Sequence, residues 1–487
     1  QIGFNNAPAV ANNPEAQVWG QFNTGDYVEI RCYPYLADGI MPVTTIKYRY
    51  EMMIEGTYTS MAYKPPYRQY LTTPEALSDM FMSLQSQVDR LNERHLGLPI
   101  INLGGKANQA VAADGTYTVP YVFIDKNRKQ SGYATISWQG DSSKDFLKKS
   151  LKFKTFKDSA GKQKQKWQPT PTFYKSHSFT LKGYYNDKYG FRDSVSAAIQ
   201  ARFVMNNPTV PKELLAANNF GSIQSYPVLL YVDGQFYGLM QLNTKSSSDL
   251  WNIDEDNPNQ IAMEANGKAN KTGALWTHEQ ISVGENGDFA LNSDNDTNAQ
   301  VNAQKLDTFL VTSTDDDFKA HLDEYVDVNS ICDYIIFNFY VNNCDAFKAK
   351  NTNYLTYDGN RWYMIGYDFD ASLGNSWEAG KIIPADDQSA IEHNEINLLK
   401  RIIKLMPEKI LARLNDLERN NVFDISTLTK LIDTKANQIG TGAYLLDENR
   451  WGNNSEYSID ISIDDIKAML VTRKALLRKY VEGLQPK

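Results

Sequence analysis

A chain of 487 residues with 50 Lys+Arg against 58 Asp+Glu and a formal charge of −8 has room for two to four domains at roughly 100 to 200 residues each. It lacks the basic excess that a nucleic-acid groove or an anionic membrane surface asks for. Its three cysteines, Cys32, Cys332 and Cys344, are odd in number and match no zinc-ligand spacing, which argues against a disulfide framework or a structural zinc. Five histidines, no two close in sequence, argue against histidine-centred hydrolase chemistry. No stretch approaches the ~20 apolar residues of a membrane span, and residues 1–20 are polar rather than a signal-peptide core.

From Val18 to about Thr73, short aromatic runs broken at Thr24-Gly25-Asp26 and Asp38-Gly39 predict a small all-β module over 1–73. Its tyrosines suit a core or an interface. Residues 74–105 predict a helical linker, opened by Thr73-Pro74 and closed by Gly97 and Pro99. Leu77, Met80, Phe81, Leu84, Val88 and Leu91 give it one apolar stripe. Because Leu77, Leu84 and Leu91 are seven apart, the helix either packs on a neighbour or forms a short coiled coil that sets a homo-oligomer.

The remaining unit, 106–487, begins with strands "GTYTVPYVFID" and "GYATISWQG" and a lysine-rich segment, Lys144 to Lys166. A helix "FRDSVSAAIQARFVM" follows, then a strand pair "YPVLLYVDGQFYGLMQL" turning at Asp233-Gly234. Residues 251–313, rich in Asn, Asp, Gly and Ser with few aliphatics, predict a long insertion or surface loop. From Asn397 onward the chain reads as mostly helical. The predicted fold class is α/β (α+β), strands first and helices last.

"NYLTY" and "RWYMIGY" flank Asp358-Gly359-Asn360 and predict a tight hairpin. An apolar helix, "NSICDYIIFNFYVNN", leads to Asp345. The residue before the first strand of an antiparallel hairpin and the residue after the second lie at one end, which gathers Asp345, Asn351, Asp368 and Asp370. So many oxygen donors repel unless a cation neutralises them or water reaches them, and hard oxygens favour Mg²⁺ or Mn²⁺. The alternative is that each is an ordinary turn residue. The order Asp, Asn, hairpin, Asp is also that of protein-kinase phosphoryl-transfer sites. Against that pattern, the Asp-to-Asn gap is one residue longer, "DFD" stands for "DFG", and no glycine-rich loop motif occurs.

The run "DYIIFNFYVNNCDAFKAKNTNYLTYDGNRWYMIGYDFDASLG" resembles the signature region of the CotH kinase family, atypical kinases named for a spore-coat protein. "WQGDSSKDFLKKSLKFKTF", "LKGYYNDKYGFRDSVSAAI" and "VLLYVDGQFYGLMQL" resemble three further blocks of that family, so the likeness runs over about 130–487. The resemblance implies a divergent protein-kinase-like domain binding ATP with Mg²⁺ or Mn²⁺. It implies Asp345 as the catalytic aspartate, Asn351 and Asp368 as metal ligands with Asp370 nearby, and Ser142, Ser143 and Lys148 as cofactor-binding residues. An ammonium at Lys148 would offset phosphate charge left by the metal. Lys149, Lys152 and Lys154, interleaved with Leu151 and Phe153, read as a solvated strand face.

Departures from the family pattern are Gln139 where "RGxSS" has Arg, and Met240 and Thr244 where Tyr and Glu are usual. They leave two readings: a kinase acting on Ser or Thr of a protein, or a degenerate structural component without turnover. The "WQG.SS" variant behind a helix and a "GLPIINL" strand also resembles CotH-type domains of bacteriophage tail or neck proteins. That implies protein partners in a virion or coat assembly, with a cytoplasmic location as the alternative.

Overall fold

The computed structural model describes residues 97–486, apart from 106, 127, 141, 267–272, 278–280, 293–295, 379 and 453–459, and ahead of them the backbone of five short strands. The chain divides into two compact units, 1–87 and 88–487. In the first, β1 (Ile2–Phe4), β2 (Val28–Arg31) and β5 (Thr45–Tyr48) form a three-stranded antiparallel sheet. Strands β3 (Tyr35–Leu36) and β4 (Gly39–Ile40) pair separately. The helix read over 74–96 lies outside the described residues.

The second unit opens on a closed barrel of seven strands: β6 (Ile100–Leu103), β7 (Tyr117–Asp125), β8 (Arg128–Gln139), β9 (Ser150–Phe156), β10 (Ser178–Lys182), β11 (Ser225–Val232) and β12 (Gln235–Thr244). Their order is β10-β12-β11-β6-β7-β8-β9, with β9 closing on β10, and only β6 and β11 run parallel. Alternation dictates the barrel's two faces. In "SLKFKTF", Leu151 and Phe153 fill the interior while Lys152 and Lys154 stand exposed outside. Tyr121, Phe123, Ile136, Trp167 and Leu181 complete that interior. Asp233 and Gly234 turn β11 into β12 with φ of +50° and +80°, the pair of left-handed residues a two-residue hairpin loop needs. The boundary drawn at 106 therefore falls inside this domain, because β6 is a stave between β7 and β11. Four residues beside Gly97 and Pro99 are too short to reveal a strand by alternation.

Behind the barrel lies the larger core. Its sheet runs β14 (Phe289–Leu291), β13 (Ile261–Ala265), β15 (Thr352–Thr356), β16 (Tyr363–Gly366), antiparallel throughout. Numbering only helices longer than two turns, α1 is Arg192–Met205, α2 Asp296–Thr312, α3 Asp315–Tyr325, α4 Val328–Tyr340, α5 Asn397–Leu405, α6 Pro407–Arg419, α7 Ile425–Ile439, α8 Thr441–Trp451 and α9 Ile463–Gly483. The predicted hairpin is β15–β16, joined by the longer segment 357–362 in place of the expected tight turn, and the predicted apolar helix is α4, with Ile331, Ile335, Ile336, Phe339 and Tyr340 all buried. Arg413 of α6 grips Asp333 of α4 in a buried fork, 2.7 and 3.0 Å.

Segment 251–313 is no surface loop. It supplies β13, β14 and α2, and buries Trp251, Met263, Trp276, Phe289, Ala299, Ala303, Leu306 and Leu310. Its apolar residues are few but regularly placed: 299, 303, 306 and 310 follow helical spacing, and two of them are alanines that a count of aliphatics overlooks.

Candidate functional site

Three chain segments meet at the open end of the β15–β16 hairpin. Thr352 pairs with Gly366, so Asn351 and Tyr367 are the next residues out, and the Tyr367 amide donates to the Asn351 carbonyl at 3.0 Å. The loop leaving α4 is laced to the loop leaving β16 by main-chain bonds from Cys344 to Ala371, 3.0 Å, and from Leu373 to Val341, 2.7 Å. Asn343 turns the first loop by accepting from the Asp345 amide at 3.1 Å. Asn342, Asn351, Asp368 and Leu373 all adopt left-handed backbone, with φ of +53°, +55°, +61° and +50°. Such conformations cost free energy for non-glycine residues and persist where the surroundings fix them.

These segments bring Asp345 together with Asn351. The Asn351 amide donates to one Asp345 carboxylate oxygen at 2.8 Å, and Lys350 ion-pairs with the other at 2.5 Å. Asp368 takes the Lys182 ammonium at 2.7 Å. Asp345, Asp368 and Asp370 feel one another's charge: burial raises the Asp370 pKa well above the carboxylate range and Asp368 adds to it. Burial likewise raises Asp345, with Lys350 opposing and Asp368 reinforcing. Burial works against the Lys182 charge, but Asp368, Asp370 and Asp193 together outweigh it and raise its pKa.

Helix α1 holds the loop after β16 along one face. Gln200 exchanges hydrogen bonds with the Gly366 backbone, accepting at 3.0 Å and donating at 3.2 Å. Four residues earlier Ser196 meets the Ser372 hydroxyl at 2.8 Å. Asp193 accepts from the Phe369 amide at 2.9 Å, and Arg192 donates to the Leu373 carbonyl at 3.1 Å. Tyr184 donates to the other Asp193 oxygen, and Asn243 of β12 donates to the Tyr184 hydroxyl at 2.8 Å and to that same Asp193 oxygen at 3.2 Å. Burial first, then Asp368, pushes the Asp193 carboxyl up to about 6. Arg192 is itself fully buried, clasped by Asp187 at 2.5 Å and by Asp460 at 2.6 and 3.0 Å.

Sequence reasoning did not single out Lys182, Arg192, Asp193 or Asn243, although "LKGYYNDKYGFRD" contains the first three. The signal was a lone lysine ending an alternating strand. Lys148, by contrast, is buried in the joint between β12 and α8, ion-paired to Asp447 at 2.6 Å, while the second Asp447 oxygen accepts from the Leu239 amide at 2.7 Å. Burial lowers its pKa even against Asp447. The cation on Asp368 is Lys182. Ser142 and Ser143 open a short 3₁₀ turn after β8, and the Ser143 hydroxyl donates back to the Gln139 carbonyl at 3.3 Å.

Among the described residues no three His, Cys, Asp or Glu side chains stand close enough to cage a metal ion by themselves. The donor chemistry nevertheless fits Mg²⁺, which keeps waters and typically takes one or two carboxylates plus phosphate oxygens. Asp368 and Asp370 are hard donors at the end that also carries Asn351. Four carboxylates, Asp193, Asp345, Asp368 and Asp370, face three ammonium groups, Lys182, Lys348 and Lys350.

No curated protein matches the chain. The CotH kinase protein family model matches residues 136–477, from the later part of β8 to α9. That match covers more than half of the sequence, includes β10, β12 and the hairpin loops that form the site, and makes the chain a member of the CotH kinase family.

Proposed function

We propose that the chain is a divalent-metal-dependent phosphotransferase that binds ATP and transfers a phosphoryl group to a Ser or Thr hydroxyl of a protein. The observation that carries this reading is the convergence of Asp345 with Asn351, and of Lys182 with Asp368, at one end of one hairpin. Phosphoryl transfer needs positioning and charge neutralisation more than covalent chemistry. Asp345 would orient the accepting hydroxyl and take its proton. Asp368, Asp370 and Asn351 would hold Mg²⁺ or Mn²⁺, which when bound neutralises phosphate charge. Lys182 would pair with phosphate oxygens, and Arg192 and Asp193 would hold the loop that presents Asp368.

The test is label transfer from ATP by the purified chain with Mg²⁺ or Mn²⁺, beside Asp345→Ala and Asp368→Ala. Each substitution is expected to lower the rate by about 10² to 10⁴. A native chain that transfers no label, with metal present and a protein acceptor supplied, overturns the reading.

A second reading, a structural component of a virion or coat without turnover, draws on the closure of the site upon itself. Asp345 is already bridged by Lys350 and Asn351, and Asp368 by Lys182. In that setting the first unit would anchor the domain to protein partners as a homo-oligomer. Light scattering on the purified full chain tests the oligomer, and a monomer at assembly concentrations would count against it.

A further inference from the structure

The outer face of the barrel next to Lys182 carries a row of lysines. Register puts Thr180 opposite both Lys152 and Asn243, and Ser178 opposite Lys154. Directly opposed residues share a face, so Lys152, Lys154, Thr180 and Lys182 stand together. Two residues of rise separate successive rows, about 7 Å. The band therefore starts at the Lys182–Asp368 pair and runs away from it along β9 and β10.

It continues beyond the strands. Lys245, following β12, feels the positive charge of Lys154 and Lys152, and His177, preceding β10, feels Lys164, Lys154, Lys166 and Lys245. The acids facing this band are Glu264, which acts on Lys245 without a direct ion pair, and Asp249, bridged to Lys166 at 3.3 Å. Among the described residues Lys152, Lys154, Lys164 and Lys245 make no ion pair, whereas Lys166 and Lys182 do. Among the described residues two further polar groups of the same face are buried without a hydrogen-bond partner, the Thr180 hydroxyl and the Oδ1 of Asn243 opposite it. Like charges gathered beside unpartnered polar groups raise the free energy of the empty face, and an anion would lower it.

We propose that this lysine band is a polyphosphate track, seating a chain of linked phosphates that extends from Lys182 over Lys152 and Lys154 to Lys245. The proposal rests on the phosphoryl-transfer reading of the Asp345–Asp368 site and names the chemistry of its donor: a linear polyphosphate, free or as the tail of a nucleotide. Solvated lysines on a strand would be interchangeable with any surface cation; here they continue the row that already contacts Asp368.

Thermal unfolding of the full chain at low ionic strength, with inorganic tripolyphosphate alone as probe, tests it. Tripolyphosphate is expected to raise the midpoint by about 4 °C or more near saturation, and added salt should reduce the shift. Lys152→Gln/Lys154→Gln, both exposed, should unfold at the native temperature without ligand yet lose most of the shift; Lys245→Gln should lose part. Equal shifts from ATP and tripolyphosphate identify the inorganic chain as sufficient, and a larger shift from ATP identifies the nucleotide as the source. A full shift retained by the double variant, an equal shift from sulfate at matched ionic strength, or a response to ATP with none to tripolyphosphate would overturn the proposal. Binding of tripolyphosphate by a chain that never transfers label would instead refute only the catalytic reading.

Discussion

Replacing Arg192 by Met should be among the most damaging single changes in the domain, and its cost should depend on pH. The guanidinium is fully buried, forks onto Asp460, holds Asp187 at 2.5 Å and donates to the Leu373 carbonyl. Removing one member of a buried ion pair costs about 3 to 5 kcal/mol because its partner is stranded. The orphaned carbonyl adds about 1 to 3 kcal/mol. A loss of roughly 4 to 8 kcal/mol at pH 8 is therefore expected, a large share of the 5 to 15 kcal/mol typical of whole domains.

Burial already raises the Asp187 pKa, with Arg192 opposing, so the Met variant raises it further. A carboxyl whose folded pKa exceeds its unfolded one keeps a proton that the unfolded chain has released. Its stabilising contribution is complete below the unfolded pKa and is lost as pH rises through the folded one, by up to about 1.4 kcal/mol per pH unit for each proton. Urea titrations followed by tryptophan fluorescence should show Arg192→Met regaining stability between pH 8 and pH 5.5. Asp187→Asn/Arg192→Met should be flatter and less destabilised at pH 8. A loss under about 1 kcal/mol, where broken buried pairs cost several, or a pH profile parallel to the native chain, would refute the argument that these carboxylates depend on Arg192.

Lys148→Met should destabilise by about 3 to 5 kcal/mol by stranding Asp447, and Lys148→Met/Asp447→Leu by clearly less; if Lys148 contacts phosphate instead, the double variant will still lose nucleotide-induced thermal stabilisation. Gly238→Ala should cost about 1 to 3 kcal/mol, since its Cβ would stand 2.8 Å from Lys148 Cε, 2.9 Å from Asp447 Oδ1 and 3.1 Å from Trp451 Nε1; an unchanged denaturation midpoint would show that this joint is loose. Lys182→Met should lower label transfer yet strengthen stabilisation by Mg²⁺ alone, because Asp368 and Asp370 lose a competing cation. Weaker Mg²⁺ stabilisation in that variant would contradict the charge deficit.

What could be read from the sequence was local. Asp358-Gly359 and Asp233-Gly234 announce their hairpins because few residues tolerate left-handed turns, and α4 announces itself by helical repetition of Ile and Phe. The hairpin alone brings Asn351 within reach of Asp368. What could not be read was pairing across the chain. Lys182 and Asp368 are 186 residues apart, and Lys148 and Asp447 are 299 apart. Two lysines near strand ends look alike until the fold assigns one a partner at the hairpin end and the other a partner in a joint. Segment 251–313 misled for a different reason: its core contribution comes from Trp276, Met263 and small helix residues, while the polar loops around them dominate its composition.

Closure of the barrel sets terms for whatever the protein grips. Every stave already has a neighbour on each side, so an incoming extended segment cannot lengthen that sheet by main-chain hydrogen bonding, the route by which many domains capture unfolded peptides. The polypeptide acceptor proposed above, if it approaches from the barrel side, must be chosen by its side chains. Selectivity would then track the charge and shape of individual residues, and scrambling a peptide while keeping its composition should change capture more than shortening its backbone.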